Sequence, residues 1–533
     1  MASRQRRSPL EGASGGGIAL PGQTHGDAAR NTDSTRPTGA CVNSVASMPT
    51  VTPRSASPAA APAPPRVLPP EHRFGYLDEK TTGSPWHFDP KAMPKQPHAG
   101  WFGKGERVDG TAAAADLRAL GSLLADAYGR YDQYQERRVD VPALLEQHAK
   151  RVEGLKAPTA LEAFVPAIAD LRAALPDNHF IPYVDGAWQQ LDKDPRLKVQ
   201  EFRGNSARLD AAAAVPGALK NTAAVVPVAD SGATQARVGS IAVQGTEAAA
   251  ALRKLGFTPV SKSTPDADLL PVPEEGAYSY TEHGDVGVIR VWSFGADGKA
   301  ATDLQQLIKD APLHRQKSKL IIDMRGNGGG NDGYMREWIK QMLSTKSTMP
   351  NPYKEGIGYP SGKQAALSAW NWSVFAEKYM GDDPLQKDLI EYGRSMKSLW
   401  PLSDKTPLPP DGGGGYVDHG SAKTDWKGDI AVLVDRRNGS SGESAAIWLR
   451  DSLGAKVVGE RTGGYLEGMN VQTYQLPKTG FTVLVPSIRA SWKDSRIAES
   501  AGIPVDAALQ KPGAPVEAVA QALFGTANLS KAA

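Results

Sequence analysis

From Val286 onward short apolar runs alternate with amphipathic stretches, and this alternation restricts the chain more than any other feature of its sequence. Val286-Gly-Val-Ile-Arg-Val-Trp-Ser-Phe294 reads as a strand, residues 300–308 as a helix, and Lys319-Leu-Ile-Ile-Asp-Met324 as a second, continuously apolar strand. After Gly326-Asn-Gly-Gly-Gly330 a helix runs through Met335, Trp338, Ile339 and Met342, followed by an aromatic, Pro/Gly-rich stretch over 350–427 that reads as an insertion. The pattern resumes with Asp429-Ile-Ala-Val-Leu-Val434 as strand, residues 441–452 as helix and Ala455-Lys-Val-Val-Gly459 as strand. Strands without polar alternation that are separated by helices predict an α/β layer with substantial parallel pairing. The unit is taken as residues 286–525.

The rest of the chain is more modest in pattern. Residues 1–70 are rich in Ala, Ser, Pro, Gly and Thr and carry too few large apolar side chains to offset the entropy of ordering, so they read as a disordered tail. Within 71–186 three helices are expected. One presents Leu117, Leu120, Leu124, Ala127 and Tyr128; one begins at the N-cap Asp140 with Pro142 in its first turn; one opens with the capping pair Thr159 and Glu162. Residues 187–285 are Ala-rich and broken by proline. There Val238-Gly-Ser-Ile-Ala-Val-Gln-Gly245 and residues 248–255 suggest a strand, a turn and a short helix, compatible with a small PDZ-like or β-rich middle domain.

Charge and cysteine content exclude several function classes. The 533 residues carry 61 Lys plus Arg against 58 Asp plus Glu, a net charge of +3 too small for a nucleic-acid footprint. The single cysteine, Cys41, rules out an intrachain disulfide and a cysteine-rich zinc site, and no metal or cofactor is called for. No apolar run reaches the ~18 residues of a membrane span. Arg4, Arg6 and Arg7 resemble the start of an export signal, but the apolar run of ~7 to 15 residues that should follow is missing.

Chemistry concentrates in two turns. Asp435-Arg-Arg-Asn-Gly-Ser440-Ser-Gly-Glu443 lies between a buried strand and a helix, which exposes Ser440 at a helix N-terminus where developing negative charge is favoured. The nucleophile-elbow pattern G-x-S-x-G is nearly met, with Asn438 in place of the first Gly. An N-capping serine flanked by turn glycines fits the same residues. The second turn, Asp323-Met-Arg-Gly-Asn-Gly-Gly-Gly330, offers successive N–H groups that form an anion-binding nest. No Gly-Lys-Ser/Thr follows it, and Asn331 stands where a dinucleotide fingerprint needs its third Gly, so nucleotide binding is disfavoured. A plain tight turn and an oxyanion site both remain open.

A serine hydroxyl needs a base, and nine histidines are available. His25 lies in the tail, His72, His87 and His98 precede the helices, and His148 sits within a helix. His179 follows an apolar helix in Leu175-Pro-Asp-Asn-His-Phe180, where Pro176 stops the helix and Asp177 and Asn178 hold a turn. His283, His314 and His419 are competitors.

Taken in order, Asp323-Met-Arg-Gly-Asn-Gly-Gly-Gly330, Asn438-Gly-Ser-Ser-Gly-Glu443, Val457-Val-Gly-Glu-Arg-Thr-Gly-Gly464 and Ile497-Ala-Glu-Ser-Ala-Gly-Ile-Pro-Val-Asp506 resemble the signature blocks of the tail-specific (carboxyl-terminal-processing) protease family. The resemblance implies a crotonase/ClpP-like catalytic domain with Ser440 as nucleophile. It also implies an oxyanion hole from the N–H of Gly328 or Gly329 with that of Ser441, and Gly463 and Gly464 at the substrate. Members of the Ser-Lys type place a lysine after the glycine block, where this chain has Tyr465. The tricorn-like branch uses histidine and a late glutamate instead, positions matched here by His179 as general base and Glu499 as the group that orients it, directly or through the residue at Asn178.

The expected substrate is a peptide or protein, and the family setting is periplasmic or extracytoplasmic. Oligomeric state and physiological substrate are not expressed in the sequence. Two other readings fit the same residues: an esterase or acyl hydrolase, and a binding protein with Trp370, Trp372, Trp400 and Phe375 lining an apolar site.

Overall fold

A computed structural model of the chain describes residues 105–525, apart from 185–186, 189–190, 192–193, 195, 198, 223–224, 229–237, 261–267, 296–297, 344–347, 369–370 and 372–423. The Ala/Pro/Ser-rich tail, most of the expected insertion, and Trp370, Trp372, Phe375 and Trp400 lie outside the described residues.

The front of the chain forms the three expected helices: α1 (Gly110–Ala127), α2 (Val141–Glu153) and α3 (Ala160–Ala174). Asp140 caps α2 by accepting the Ala143 N–H, and Thr159 and Glu162 form the reciprocal capping box of α3. These helices do not close a core of their own. A strand that follows them, β1 (Ile181–Val184), pairs with residues 482–484 near the other end of the chain. Phe164 of α3 stacks on Phe481 with ring centroids 4.2 Å apart. Buried Asp116 of α1 accepts hydrogen bonds from Lys478 N–H, Thr479 N–H and Thr479 Oγ1. The helices and that distant hairpin therefore share one apolar cluster.

The middle region is a four-stranded antiparallel sheet in which β2 (Val199–Asn205), β3 (Ala218–Thr222) and β4 (Val238–Gln244) are joined by residues 258–259, with helix α4 (Thr246–Lys254) beside it. Phe202, Leu209, Ile241, Leu252 and Phe257 make its small core.

The parallel pairing expected from Val286 onward is met by a seven-stranded sheet. Its strands include β5 (Tyr278–His283), β6 (Val286–Val291), β7 (Lys319–Asp323), β9 (Asp429–Val434), β10 (Lys456–Gly459) and β13 (Ala507–Leu509), and only the β5–β6 pair is antiparallel. Ile289, Ile322 and Val432 face one side, towards α5 (Gly298–Lys309), α6 (Gly333–Met342) and α7 (Ser441–Leu453). Val288, Ile321 and Leu433 face the other, towards Val519 and Ala520 of α8 (Val516–Phe524). Coverage of both faces explains why the strand sequences show no polar alternation.

The stretch read as an insertion from residue 350 opens with β8 (Tyr353–Gly358), which pairs with the long hairpin of β11 (Gly468–Gln475) and β12 (Thr482–Trp492) and so belongs to the fold. Among the described residues no helix is long and apolar enough to cross a membrane.

Candidate active site

Strands β7 and β9 are parallel neighbours, so their carboxyl ends deliver the 324–330 and 435–440 turns to the same sheet edge, where open α/β sheets bind ligands. Asn438, the residue that departs from the elbow pattern, is fully buried and ties these turns together. Its Oδ1 accepts the Asp435 N–H at 2.7 Å and its Nδ2 donates to the Met324 carbonyl at 2.7 Å. The amide thus braces the bend.

Ser440 follows with φ 51° and ψ −123°, a conformation that a non-glycine residue adopts only when its surroundings impose it. An N-capping serine would ordinarily be extended. Ser440 nonetheless takes the N-cap position of α7 in a capping box with Glu443, whose N–H also bonds Ser440 O at 2.9 Å, while Gly442 N–H bonds Gly439 O at 2.8 Å. Glu443 reaches back from α7 to accept the N–H groups of Ser440, Gly464 and Tyr465 and the Thr462 hydroxyl. Burial pushes this carboxyl up to about 7 against the pull of those donors.

The glycine block packs against this turn. A Cβ on Gly329, whose φ is +114°, would fall 2.9 Å from Ser440 Cβ and 3.2 Å from Ser441 N, so only glycine allows the approach. The Gly329 N–H is bonded to Asn327 Oδ1 at 3.0 Å, whereas Gly328 is partly exposed beside it. Asp323 and Arg325 of the same block are structural: they form a buried bidentate pair, and Arg325 also donates to Pro512 O and Ala514 O.

His179 is buried at the end of the turn after α3. Its Nδ1 lies 2.5 Å from the Gly468 carbonyl oxygen. Since a carbonyl only accepts, Nδ1 carries the proton and Nε2 of the neutral ring is the basic nitrogen. Burial lowers the imidazole below its ordinary value, so it is neutral at pH 7. The ring meets Tyr465 edge-on at 5.0 Å between centroids, and Tyr465 in turn abuts Gly439, where a Cβ would lie 3.1 Å from its Cδ2. One aromatic side chain therefore touches the histidine and the residue preceding Ser440.

Asn178 links the same parts by hydrogen bonds. Its Nδ2 donates to Gly463 O at 3.1 Å and Gly464 O at 3.0 Å, and its Oδ1 accepts from Arg172 and Ser500. Glu499 accepts three N–H groups, those of Asn178, Leu466 and Glu467, at 2.7 to 2.8 Å. It holds the peptide before His179 and the segment leading to Gly468. Of Arg172, Asp177, Asn178 and Glu467, the sequence marks only Asn178, as the residue through which Glu499 could act; Arg172 and Glu467 carry no sequence signal, and Asp177 reads as a turn former next to His179.

The other described histidines are engaged elsewhere. His148 Nε2 pairs with Asp170 at 2.8 Å, His283 lies 3.4 Å from Glu517, and His314 is bonded to Trp338 and Tyr278.

Residues 285–509 match the family model described as Peptidase family S41. No curated protein matches the chain at a significant level. Among solved structures, mature CPAF is 16% identical and is matched over 75% of this chain and 92% of that one with a TM-score of 0.42. The photosystem II D1 C-terminal processing protease is 14% identical over 75% and 94% with a TM-score of 0.32, and the tricorn protease 17% identical over 45% and 16% with a TM-score of 0.23.

Proposed function

We propose, from the premise that residues 285–509 are a serine peptidase domain of family S41, that Ser440 is the nucleophile and His179 its general base. In this reading Ser440 Oγ attacks the scissile carbonyl carbon while His179 Nε2 takes its proton. The resulting oxyanion is met by the N–H groups of Gly328 and Ser441, because that of Gly329 is occupied by Asn327. Collapse of the tetrahedral intermediate breaks the C–N bond, and the imidazolium returns the proton to the leaving amine. Water then attacks the acyl carbon as His179 Nε2 takes its proton, and collapse breaks the C–Oγ bond, the imidazolium returning the proton to Ser440 Oγ as the carboxylic acid product leaves.

Glu499 acts as a positioning residue through the backbone in this scheme, since its carboxylate grips Asn178, Leu466 and Glu467. Gly463 and Gly464 present the loop over which substrate lies. The presence of His179, with Tyr465 at the position of the family lysine, supports the tricorn-like branch over a Ser-Lys dyad. The parallel sheet with helices on both faces supports the crotonase/ClpP-like reading, and the antiparallel middle sheet with its helix supports a PDZ-like or β-rich module. The resemblance of the signature blocks supports cleavage near C-terminal tails of polypeptides.

The observation that carries the proposal is the strained backbone of Ser440, packed on Gly329 at a strand-to-helix bend. Strain of this kind collects at active sites and at ligand clamps alike, and reaction with a fluorophosphonate separates the two. A fluorophosphonate should label the protein once, and Ser440→Ala should abolish both labelling and peptide hydrolysis. Retained hydrolysis in Ser440→Ala would end the proposal. Peptides with free and amidated C-termini, compared with simple esters, test tail preference and separate a peptidase from an esterase.

A further inference from the structure

We propose that Asp177 is a positioning residue that stabilises the imidazolium of His179, with Tyr128 and Arg130 holding it in place for that purpose; this rests on the assignment of His179 as general base. The histidine turn places this carboxylate, fully buried, against the groups that fix the ring. Asp177 Oδ1 accepts the backbone N–H of His179 at 2.9 Å. Its Oδ2 lies against Gly468, where an added Cβ would come within 2.2 Å of it, and Gly468 is the residue whose carbonyl receives the His179 Nδ1 proton. One carboxylate thus bonds the His179 N–H and packs against the residue that accepts the Nδ1 proton.

The carboxylate is itself immobilised. Tyr128 donates its hydroxyl to Oδ2 at 2.7 Å, and Arg130 stands 3.5 Å from the same oxygen. Arg130 is anchored to Pro176 O at 2.7 Å and to Glu467 at 2.6 Å, which fixes the turn and the 467–468 segment to one guanidinium. Glu499, by contrast, spends its oxygens on three backbone N–H groups. The charged and titratable groups around the ring are Asp177 on its own turn, Arg172 on α3, Tyr465, Glu467 and Glu499 on the loops opposite, and Tyr128 and Arg130 behind. Asp177 favours the charged imidazole and Arg172 opposes it. In a water-poor site a carboxylate at this place lowers the cost of the proton that His179 must carry between attack and collapse.

The test is Asp177→Asn in the full chain, which keeps an oxygen for the His179 N–H and removes the charge. Hydrolysis per labelled active site should fall about tenfold or more, and the acid limb of kcat/KM should move to lower pH, since an imidazolium deprived of its nearest negative charge loses its proton more readily. A purely structural role would lower the melting temperature without moving the limb. An unshifted limb with kcat/KM within about twofold of wild type, in a protein that melts normally, would overturn the proposal. If Asp177→Asn does not fold, Tyr128→Phe carries the test: a kcat reduced about threefold or more at unchanged KM supports it, and a wild-type kcat overturns it. The parallel Ser440→Ala control separates the two readings, because hydrolysis surviving there refutes the nucleophile itself.

Discussion

Gly463 donates its N–H to the carbonyl oxygen of Asn438 at 2.7 Å, two residues ahead of Ser440. That bond fastens the loop from 463 to 468 to the serine turn, and Asn178 fastens the same loop to the histidine turn from the other side. A short stretch of backbone therefore ties the turn that carries Ser440 to the turn that carries His179.

Gly464 is the most sensitive point of that stretch. Its φ is +76°, and a Cβ would come within 2.6 to 2.7 Å of the Ser500 backbone. Gly464→Ala is expected to cost about 1–3 kcal/mol in stability by denaturant unfolding, and to lower hydrolysis more than that loss of folded protein explains. Wild-type kcat in the folded variant would show that the loop does not set the site.

With His179 as the proposed base, the pH dependence of hydrolysis follows from its burial. Burial lowers its pKa, and the base must be neutral to accept the serine proton. Activity is expected to be flat through pH 7 and to fall with decreasing pH only below the ordinary histidine value of 6.5. A kcat/KM profile whose acid limb lies above that value would contradict the assignment.

Arg325 offers a stability test at a residue that takes no part in the proposed proton transfer. It pairs with Asp323 and bonds the carbonyls of Pro512 and Ala514, all buried. Arg325→Ala leaves a buried carboxylate and two carbonyls without these donors, and about 3–5 kcal/mol of destabilisation is expected by chemical denaturation.

His314 gives the fold an acid sensitivity. Burial lowers its pKa from 6.5 to about 4, while its Nδ1 accepts the Trp338 indole N–H and its Nε2 faces Tyr278. Between those values the unfolded chain binds a proton that the folded chain does not. The contribution is fully present above pH 6.5 and is lost as pH falls towards 4, by up to about 3 kcal/mol. The difference in unfolding free energy between wild type and His314→Gln, followed over that range, isolates it from the carboxyls of Asp116 and Glu443, whose raised values act in the opposite sense.

The parts legible in the sequence were those governed by local rules. Residues 319–323 and 429–434 showed unbroken apolar runs because both sheet faces are covered, and Thr159 with Glu162 announced a helix start that the structure contains. The pairing of Ile181 with Leu484 was not legible, because it depends on chain segments about three hundred residues apart rather than on either segment's pattern. At the site, three glycines in a row indicated close backbone approach, but not that Asn327 occupies the Gly329 N–H. Asp177 passed for a turn residue for the same reason: its second set of partners, Tyr128 and Gly468, comes from elsewhere in the chain.

The junction of β1 with β12 has a temporal consequence. Until residue 492 has left the ribosome, a growing chain lacks the second strand of the hairpin against which the histidine-bearing segment is seated. On the chemistry proposed above, Ser440 then emerges well before its base is in register. Synthesis itself then delays the appearance of cleaving power until the segment through residue 492 exists.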